Sequence, residues 1–439
     1  MTKMSMASRG PGQSPTGQGE AAVLAIAAMG AQGDGVGERE GAEGAGPVFA
    51  PLTLPGERVA ALIASDRAEV VEILTASAER VAPPCPHFGD CGGCGLQHWA
   101  SAPYLAWKVA QIRAALGRVH IETDILPAFA APPASRRRLA LHARRDGRAG
   151  RAVALGFKAR RSWRLAAIET CVIADRRLVA ALPLLRRLAR PFLEHPKSAP
   201  TLHVTLTDTG LDIDVTGVER RSGGLSADAR MRAARAAAEG NIARVTLAGE
   251  ILYQARPALV RLGPATVALP PGAFLQAVPQ AEAAMAAFIL DAAAGARRIA
   301  DLYCGVGTFT FRLAGAAPVL AADASAPAIA ALRAAMASAP GLHPIDAQTR
   351  DLDRRPMLAD ELRKIDLALF DPPRAGARVQ CAELARSGVA RAIGVSCNLA
   401  TFARDAAILA EGGFTLQRVL PVDQFLWSPH IELVGVFSR

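Results

Sequence analysis

Apolar positions along this chain change rhythm as the chain proceeds. From Ala22 to about Ser77 they come in short runs, Val23-Leu-Ala-Ile, Val48-Phe-Ala and Val70-Val-Glu-Ile-Leu, with Gly33-Asp-Gly-Val and Leu54-Pro-Gly-Glu-Arg-Val between them. Runs of this length bounded by glycine corners predict five short strands, which suit a small barrel. Residues 1–19 before them are rich in Ser, Gly and Gln and predict a disordered tail. Pro84 to Trp99 holds too much glycine for regular structure, and Tyr104 to Leu116 has a helical pattern. Between residue 136 and about residue 250 the pattern alternates, as in Leu202-His-Val-Thr-Leu-Thr and Leu211-Asp-Ile-Asp-Val on either side of Gly210, and predicts strands.

From about residue 256 strands and helices take turns. Helices are predicted at Ala281 to Ala294, from Phe309, at Ala326 to Met336 and at Thr401 to Glu411. Strands are predicted at Arg298 to Tyr303, Val319 to Ala322, Ile365 to Phe370, Ala392 to Ser396, Phe414 to Val419 and Ile431 to Phe437. That alternation predicts a doubly wound α/β sheet, whose ligands sit at the carboxyl ends of the strands. The chain therefore divides into a tail (1–19), a barrel (20–80), a central strand-rich part (81–255) and an α/β domain (256–439), and 439 residues exceed the usual size of one core.

Composition narrows the class. With 51% apolar residues the chain can bury its cores. Met1 to Glu20 has no apolar h-region and no stretch approaches a membrane-spanning run, so neither a signal peptide nor a membrane span is expected. Seven cysteines spread over the chain are no secretory disulfide framework, and the cytoplasm is the expected compartment. The formal charge of +10 is concentrated. Between Arg136 and Arg164 stand Arg136, Arg137, Arg138, Arg144, Arg145, Arg148, Arg151, Lys158, Arg160, Arg161 and Arg164 against the single acid Asp146. Such a field attracts phosphates and predicts a nucleic-acid-binding surface, with Arg136 to Arg138 expected to touch the backbone. A solvated face of an Arg-rich chain is the plain alternative.

Four motifs fall at predicted strand ends. Asp301-Leu-Tyr-Cys-Gly-Val-Gly-Thr follows a strand, and Gly305 and Gly307 let the backbone approach a cofactor. Asp323, 22 residues after Asp301, is placed to accept ribose hydroxyls. The missing third glycine and the absence of a pyrophosphate grip favour S-adenosylmethionine over NAD. Asp371-Pro-Pro-Arg leaves a carboxylate beside the pocket, because two prolines fix an extended exit. Cys397 stands where a strand ends and the chain turns at Asn398, the place for a nucleophilic thiolate. A pyrimidine C5 does not accept a methyl group directly; thiolate addition at C6 makes C5 enolate-like, and a base must then remove the C5 proton. Glu432 in Ile431-Glu-Leu-Val is the candidate base, since a carboxylate amid apolar residues has a raised pKa. An inert thiol at Cys397 and a solvent-facing edge residue at Glu432 are the structural alternatives.

Cys85-x5-Cys91-x2-Cys94 is a dense cluster with glycines at 92, 93 and 95, and Cys171 is the candidate fourth ligand. Four thiolates mean zinc or an iron-sulfur centre. One knuckle plus two single cysteines leans toward [4Fe-4S], with His87 and His98 as neighbours and Cys304 and Cys381 as ordinary thiols.

Taken together these residues resemble the S-adenosylmethionine-dependent RNA uracil-5 methyltransferases. The likeness is strongest to the bacterial 23S rRNA branch, which has an amino-terminal TRAM barrel and a [4Fe-4S] cluster. It is carried by Gly33-Asp-Gly-Val, Leu54-Pro-Gly-Glu, the four cysteines with Gln97-His-Trp, Phe274-Leu-Gln, Asp301-Leu-Tyr-Cys-Gly-Val-Gly-Thr-Phe, Asp371-Pro-Pro-Arg-Ala-Gly, Val395-Ser-Cys-Asn, Val422-Asp-Gln-Phe and His430-Ile-Glu432. The resemblance implies a Rossmann-like class I methyltransferase domain, a TRAM-like barrel and a central strand-rich Fe-S domain. It also implies that Gln276, Tyr303, Thr308, Asp323, Asp351 and Asp371 line the cofactor and target pocket, that Cys397 is the nucleophile and that Glu432 is the base. Val278 stands where Asn is frequent, Asp323 where Glu is usual, and Leu399 where Pro commonly follows Ser-Cys-Asn. The expected partner is RNA, 23S rRNA ahead of transfer RNA, with no membrane and a monomeric chain. DNA cytosine methylation and an inactive RNA-binding protein are the remaining alternatives.

Overall fold

The computed structural model describes residues 19–41, 44, 46–146, 152–219 and 224–439. All of the predicted tail except Gly19, together with Arg148 and Arg151 of the basic segment, lies outside the described residues. The chain forms two compact units, Met1–Gln111 with Trp427–Pro429, and Ile112–Leu426 with His430–Arg439.

In the first unit β1 (Glu20–Met29), β2 (Asp34–Arg39), β3 (Val48–Pro51), β4 (Arg58–Ala64) and β5 (Arg67–Thr75) close a barrel in the order β1-β2-β3-β5-β4. Closure needs alternate residues inside, and Leu24, Ile26, Val48, Ala50, Val59, Ala61 and Ile63 supply them. Below it the buried Glu57 carboxylate accepts the Arg80 guanidinium at 2.5 and 2.9 Å and the Leu54 amide at 2.9 Å, which pins the segment leaving the barrel. Pro84 to Trp99 is turns and bends, ordered in part by the Gln97 side chain, which accepts the Cys85 amide at 3.1 Å. Helix α1 (Ser101–Gly117) follows.

Among the described residues the second unit holds three sheets. Two short strands, β6 (Asp124–Ile125) and β7 (Phe129–Ala130), lie against its final sheet. Then β8 (Arg138–Asp146), β9 (Ala152–Lys158), β10 (Leu165–Ala167), β11 (Thr201–Thr207), β12 (Gly210–Thr216), β13 (Arg244–Leu247) and β14 (Glu250–Gln254) form a seven-stranded sheet in the order β10-β9-β8-β11-β12-β13-β14. This part also contains α2 (Arg176–Ala180), α3 (Leu182–Ala189) and α4 (Ala227–Glu239), where the sequence pattern predicts strands. The reason is visible in α4: Ser226 accepts the Ala229 amide as an N-cap, and Ala229, Ala233 and Ala237 recur every fourth residue on the buried face. A hairpin of β15 (Leu259–Leu262) and β16 (Ala265–Ala268) leads into the last domain.

That domain contains α5 (Pro279–Ala292), β17 (Ile299–Leu302), α6 (Thr310–Leu313), β18 (Val319–Asp323), α7 (Ala326–Ala335), β19 (Ile345–Thr349), β20 (Leu367–Phe370), α8 (Arg378–Arg386), β21 (Arg391–Ser396), α9 (Leu399–Glu411), β22 (Thr415–Asp423) and β23 (Glu432–Ser438). The strand order is β19-β18-β17-β20-β21-β23-β22; β17 to β21 are parallel and β23 is antiparallel to both its neighbours. Ile299, Ala321, Leu369 and Ile393 pack on one face and Ala300, Leu302, Ala322 and Ala368 on the other, the two-sided burial a parallel sheet requires. The order reverses between β17 and β20, and at such a switch point the loops diverge to leave a crevice. Because β23 runs against β21, its first residue shares an edge with the ends of the parallel strands, and Ser396 pairs with Leu433. No described helix is long and apolar enough to cross a membrane.

Candidate active site

The cofactor side is built from the turn after β17. Tyr303 (φ +62°), Gly305 (φ +55°) and Gly307 (φ +94°) are left-handed, so this turn is tight. A Cβ on Gly307 would meet the Phe311 ring at 2.6 Å, whereas at Gly305 nothing lies within 4 Å. The space over Gly305 is therefore open. The Gly305 amide donates to Asp323 Oδ2 at 2.9 Å and the Ser325 amide to Asp323 Oδ1 at 2.7 Å. Asp323 is thus oriented at the end of β18 with acceptor capacity left for hydroxyls. Beneath them Asp301 is buried; its Oδ2 accepts the Thr310 hydroxyl at 2.6 Å and its Oδ1 has no hydrogen-bond partner. Burial pushes the Asp301 carboxyl up to about 7, the Thr310 hydroxyl opposing and Asp323 adding to the rise. An orphaned buried acceptor, an oriented carboxylate and an open glycine fit the polar end and the ribose of S-adenosylmethionine.

The remaining predicted cofactor residues are placed less directly. Tyr303 donates its hydroxyl to Asp353 at 3.1 Å, a partner sequence reasoning missed because Asp353 sits on an exposed loop. Asp351 Oδ1 accepts the amides of Asp353 and Arg354 at 3.1 and 3.2 Å and so shapes that loop. Thr308 is half-buried, and its carbonyl takes the Arg312 guanidinium.

The target side is a run of polar groups along the same edge. Asp371, after β20, accepts Gln276 Nε2 at 3.4 Å. Gln424, one residue beyond β22, donates its amide nitrogen to Gln276 Oε1 at 2.8 Å and to Glu432 Oε2 at 2.7 Å. Burial pushes the Glu432 carboxyl up to about 7, against the Gln424 hydrogen bond and the Arg374 charge, and Glu432 is 4% exposed. Asp371 is pushed well above the usual carboxylate range by burial first, then by Glu432 and Asp301. Cys397 is half-buried just past β21. Burial and the Glu432 charge raise its thiol, while Arg374 pulls it back through a hydrogen bond and its charge. Arg374 also meets His430 Nδ1 at 3.4 Å.

Asn398 fastens this corner. Its side-chain oxygen caps α9 by accepting the Ala400 and Thr401 amides at 3.1 and 3.5 Å, and its nitrogen donates to the Arg374 carbonyl at 3.0 Å. Leu399 therefore occupies the first helical position, which proline also suits. Val278 is the N-cap of α5 and makes no side-chain cap; the polar group an asparagine would bring there is a helix cap. Gln424 and Arg374 stand inside motifs singled out from the sequence, yet nothing in the motifs assigned them a task.

The arginine run is where the structure departs most from expectation. Arg137 donates to the Gln276 carbonyl at 2.9 Å and to Glu282 at 2.6 Å, and Arg138 donates to the carbonyls of Leu275 and Ala273 at 2.8 and 3.1 Å. Arg312 reaches the other Glu282 oxygen at 2.8 Å. Burial lowers both Arg137 and Arg138, the latter to about 10. Arg137 and Arg138 hold the backbone of residues 273–277, and through it Gln276, instead of facing solvent. The Arg136 side chain likewise turns inward, donating to the Arg138 carbonyl at 3.0 Å.

Cys85, Cys91 and Cys94 lie in the turn-rich segment of the first unit and Cys171 lies between β10 and α2 in the second; all four are half-buried and outside any disulfide. Among the described residues no three His, Cys, Asp or Glu side chains gather closely enough for a single metal ion. A zinc site needs its ligands to converge on one centre, whereas each cysteine of a four-iron cluster binds a different iron. Cys304 and Cys381 are buried, and burial raises both well above the usual thiol range.

Comparison with known proteins follows the same lines. Residues 267–439 match the family model described as tRNA (Uracil-5-)-methyltransferase. A protein of Caulobacter vibrioides described as an uncharacterized RNA methyltransferase is 66% identical over 416 residues, 95% of this chain and 99% of that one. The 23S rRNA (uracil(1939)-C(5))-methyltransferase of Chromohalobacter salexigens is 32% identical over 424 residues, 89% of this chain and 84% of that one. The solved structure of Pyrococcus abyssi tRNA (uracil-54, C5)-methyltransferase in complex with S-adenosyl-L-homocysteine has a TM-score of 0.69 and 21% identity, covering 94% of this chain and 99% of that one, a likeness of fold. With relatives that span nearly the whole chain, this protein belongs to the S-adenosylmethionine-dependent RNA uracil-5-methyltransferase family.

Proposed function

We propose that this enzyme methylates C5 of a uridine in 23S rRNA, giving 5-methyluridine, with Cys397 as nucleophile and Glu432 as base. The observation that carries the reading is a thiol and a raised carboxyl group on adjoining strand ends: Cys397 follows Ser396, whose ladder partner Leu433 follows Glu432. Arg374 favours the Cys397 thiolate. A uridine flipped out of its stack takes that sulfur at C6, and the displaced C5–C6 electrons make C5 nucleophilic. S-adenosylmethionine supplies the methyl group, C5 taking it as the sulfonium–methyl bond breaks. Glu432, ionised, then takes the C5 proton; the freed pair restores the C5–C6 double bond and expels the Cys397 thiolate. A carboxyl titrating at about 7 suits this task, since it is basic enough to accept the proton and still ionised in half of the molecules at neutral pH.

Gln276, Tyr303, Gly305, Gly307, Thr308, Asp323, Asp351 and Asp371 would line the cofactor and target pocket. The RNA-facing part of the basic segment is the tip between β9 and β10, not Arg136 to Arg138. There Trp163 is 87% exposed, the Lys158 ammonium lies 3.8 Å from its ring centroid, and Arg161 and Arg164 are exposed beside it. An open aromatic face among cations is a stacking platform for an unpaired base. Cys85, Cys91, Cys94 and Cys171 would hold a [4Fe-4S] cluster of structural role, and the cytoplasm is the expected compartment of a monomeric enzyme.

The decisive test is a denaturing gel with substrate RNA and labelled methyl donor. Glu432→Gln should accumulate a labelled RNA adduct on Cys397, and Cys397→Ala should form none while still binding S-adenosylmethionine. Rapid turnover by Glu432→Gln without adduct would sink the assignment of the base. A transfer RNA substrate is the second reading, favoured by the family model that covers residues 267–439. Mass mapping of 5-methyluridine in ribosomal and transfer RNA from cells with and without the protein decides between them.

A further inference from the structure

Gln424 has the unusual position of a side chain that is fully engaged at one atom and unengaged at the other. It is 3% exposed; its nitrogen makes two short hydrogen bonds, to Glu432 and Gln276, and its oxygen is buried with no hydrogen-bond partner. A Glu432 carboxylate can only accept, which orients the amide with nitrogen toward the base and oxygen away from it. Leaving a buried amide oxygen unpaired costs about 1–3 kcal/mol. Such an acceptor calls for a donor, and an incoming group can bring it. The charged groups around Glu432 are Asp371, Cys397 and Arg374, with His430 behind Arg374.

A uracil joined through N1 carries a single N–H, at N3. N3 and C5 flank the same carbon, C4, so a residue bonded both to Glu432 and to the ring N–H spans two ring bonds, one on each side of that carbon. We propose that Gln424 is a positioning and specificity-determining residue: its Nε2 aims the Glu432 carboxylate at C5 while its Oε1 accepts the N3–H of the target uracil. Cytosine has a lone pair at N3 in place of the N–H, and two acceptors facing each other in a buried site repel. Discrimination of uridine from cytidine then follows from the same side chain that aligns the base. The proposal rests on the reading of Cys397 and Glu432 given above.

The test uses Gln424→Leu and Gln424→Met, which keep bulk and remove the amide, in single-turnover methylation of RNA bearing uridine or cytidine at the target. The rate on uridine should fall roughly 10- to 100-fold, the worth of one hydrogen bond to a charged group. The acid limb of the pH profile should move to higher pH, because the Gln424 hydrogen bond is among the contacts that lower the Glu432 carboxyl. S-adenosylmethionine affinity should be unchanged and the preference for uridine over cytidine should narrow. A rate loss with the acid limb and the preference both unmoved would mean a packing role and overturn the proposal, as would no rate loss at all. A second measurement needs no altered protein. Native enzyme should bind RNA carrying 3-deazauridine, which lacks the N3–H, more weakly than uridine RNA, and equal binding would overturn the contact to Oε1. Glu432→Gln in the same series reports on the covalent reading by itself. Adduct accumulation there with unaffected Gln424 variants defeats only the role of Gln424, and absence of adduct defeats both.

Discussion

Glu432 shows what one residue pays and returns when it is buried for a task. Its carboxyl is raised from about 4.5 to about 7, so between those values the folded chain holds a proton that the unfolded chain has released. Folded protein binding more protons than unfolded makes stability fall as pH rises through that window. Activity should move the opposite way, rising through about pH 7 as the base ionises. Glu432→Gln, which carries no charge to desolvate, should therefore melt higher than native protein at pH 8, by up to about 3 kcal/mol, and the gap should close toward pH 5. Scanning calorimetry at the two pH values checks this; an equal gap at both would mean that the residue's ionisation is not linked to folding. The strand-end positions of Cys397, Asp371 and Glu432 were legible in the sequence because each lies inside a short motif at a strand boundary. Gln424 was not, since its meaning depends on meeting Gln276, 148 residues away in the chain.

At the scale of elements, a run of arginines reads the same whether it faces solvent or carbonyl oxygens, and here it faces carbonyls. Arg137 and Arg138 enter β8 where the loop over residues 273–277 leaves its carbonyls unmatched, and Glu282 sits buried between Arg137 and Arg312. Removing one partner of a buried ion pair strands the others. Glu282→Ala should destabilise the protein by about 3–5 kcal/mol, seen as a lowered denaturant midpoint, and Arg137→Ala should share that fate while leaving the salt dependence of RNA binding unaltered. Trp163→Ala should do the reverse, weakening RNA binding by about 1–3 kcal/mol with no change in melting. A flatter salt slope for Arg137→Ala in a fully folded protein would restore the arginine run to the RNA surface. The helices of the central part escaped the sequence pattern because α2 and α3 are short and α4 marks its buried face with alanine alone, a weak apolar signal beside the strong alternation of β11 and β12. The parallel strands were easier, since burial on both faces leaves continuous apolar runs.

For the whole molecule, the four candidate cluster thiols divide between the two compact units, Cys85, Cys91 and Cys94 in one and Cys171 in the other. If they hold one cluster, protein purified without oxygen should contain about four iron and four sulfide per chain, and Cys171→Ser should lose them as completely as Cys85→Ser. One zinc per chain and no iron would overturn the cluster. The proposed reacting pair is organised differently, because both of its members lie in one unit. Cys397 and Glu432, the proposed nucleophile and base, are held in step by the backbone pairing of β21 with β23. Sliding β23 by one position turns Glu432 to the opposite face of the sheet. The enzyme's proposed chemistry is thus tuned by register, one residue of slip being enough to take the carboxylate away from the thiol.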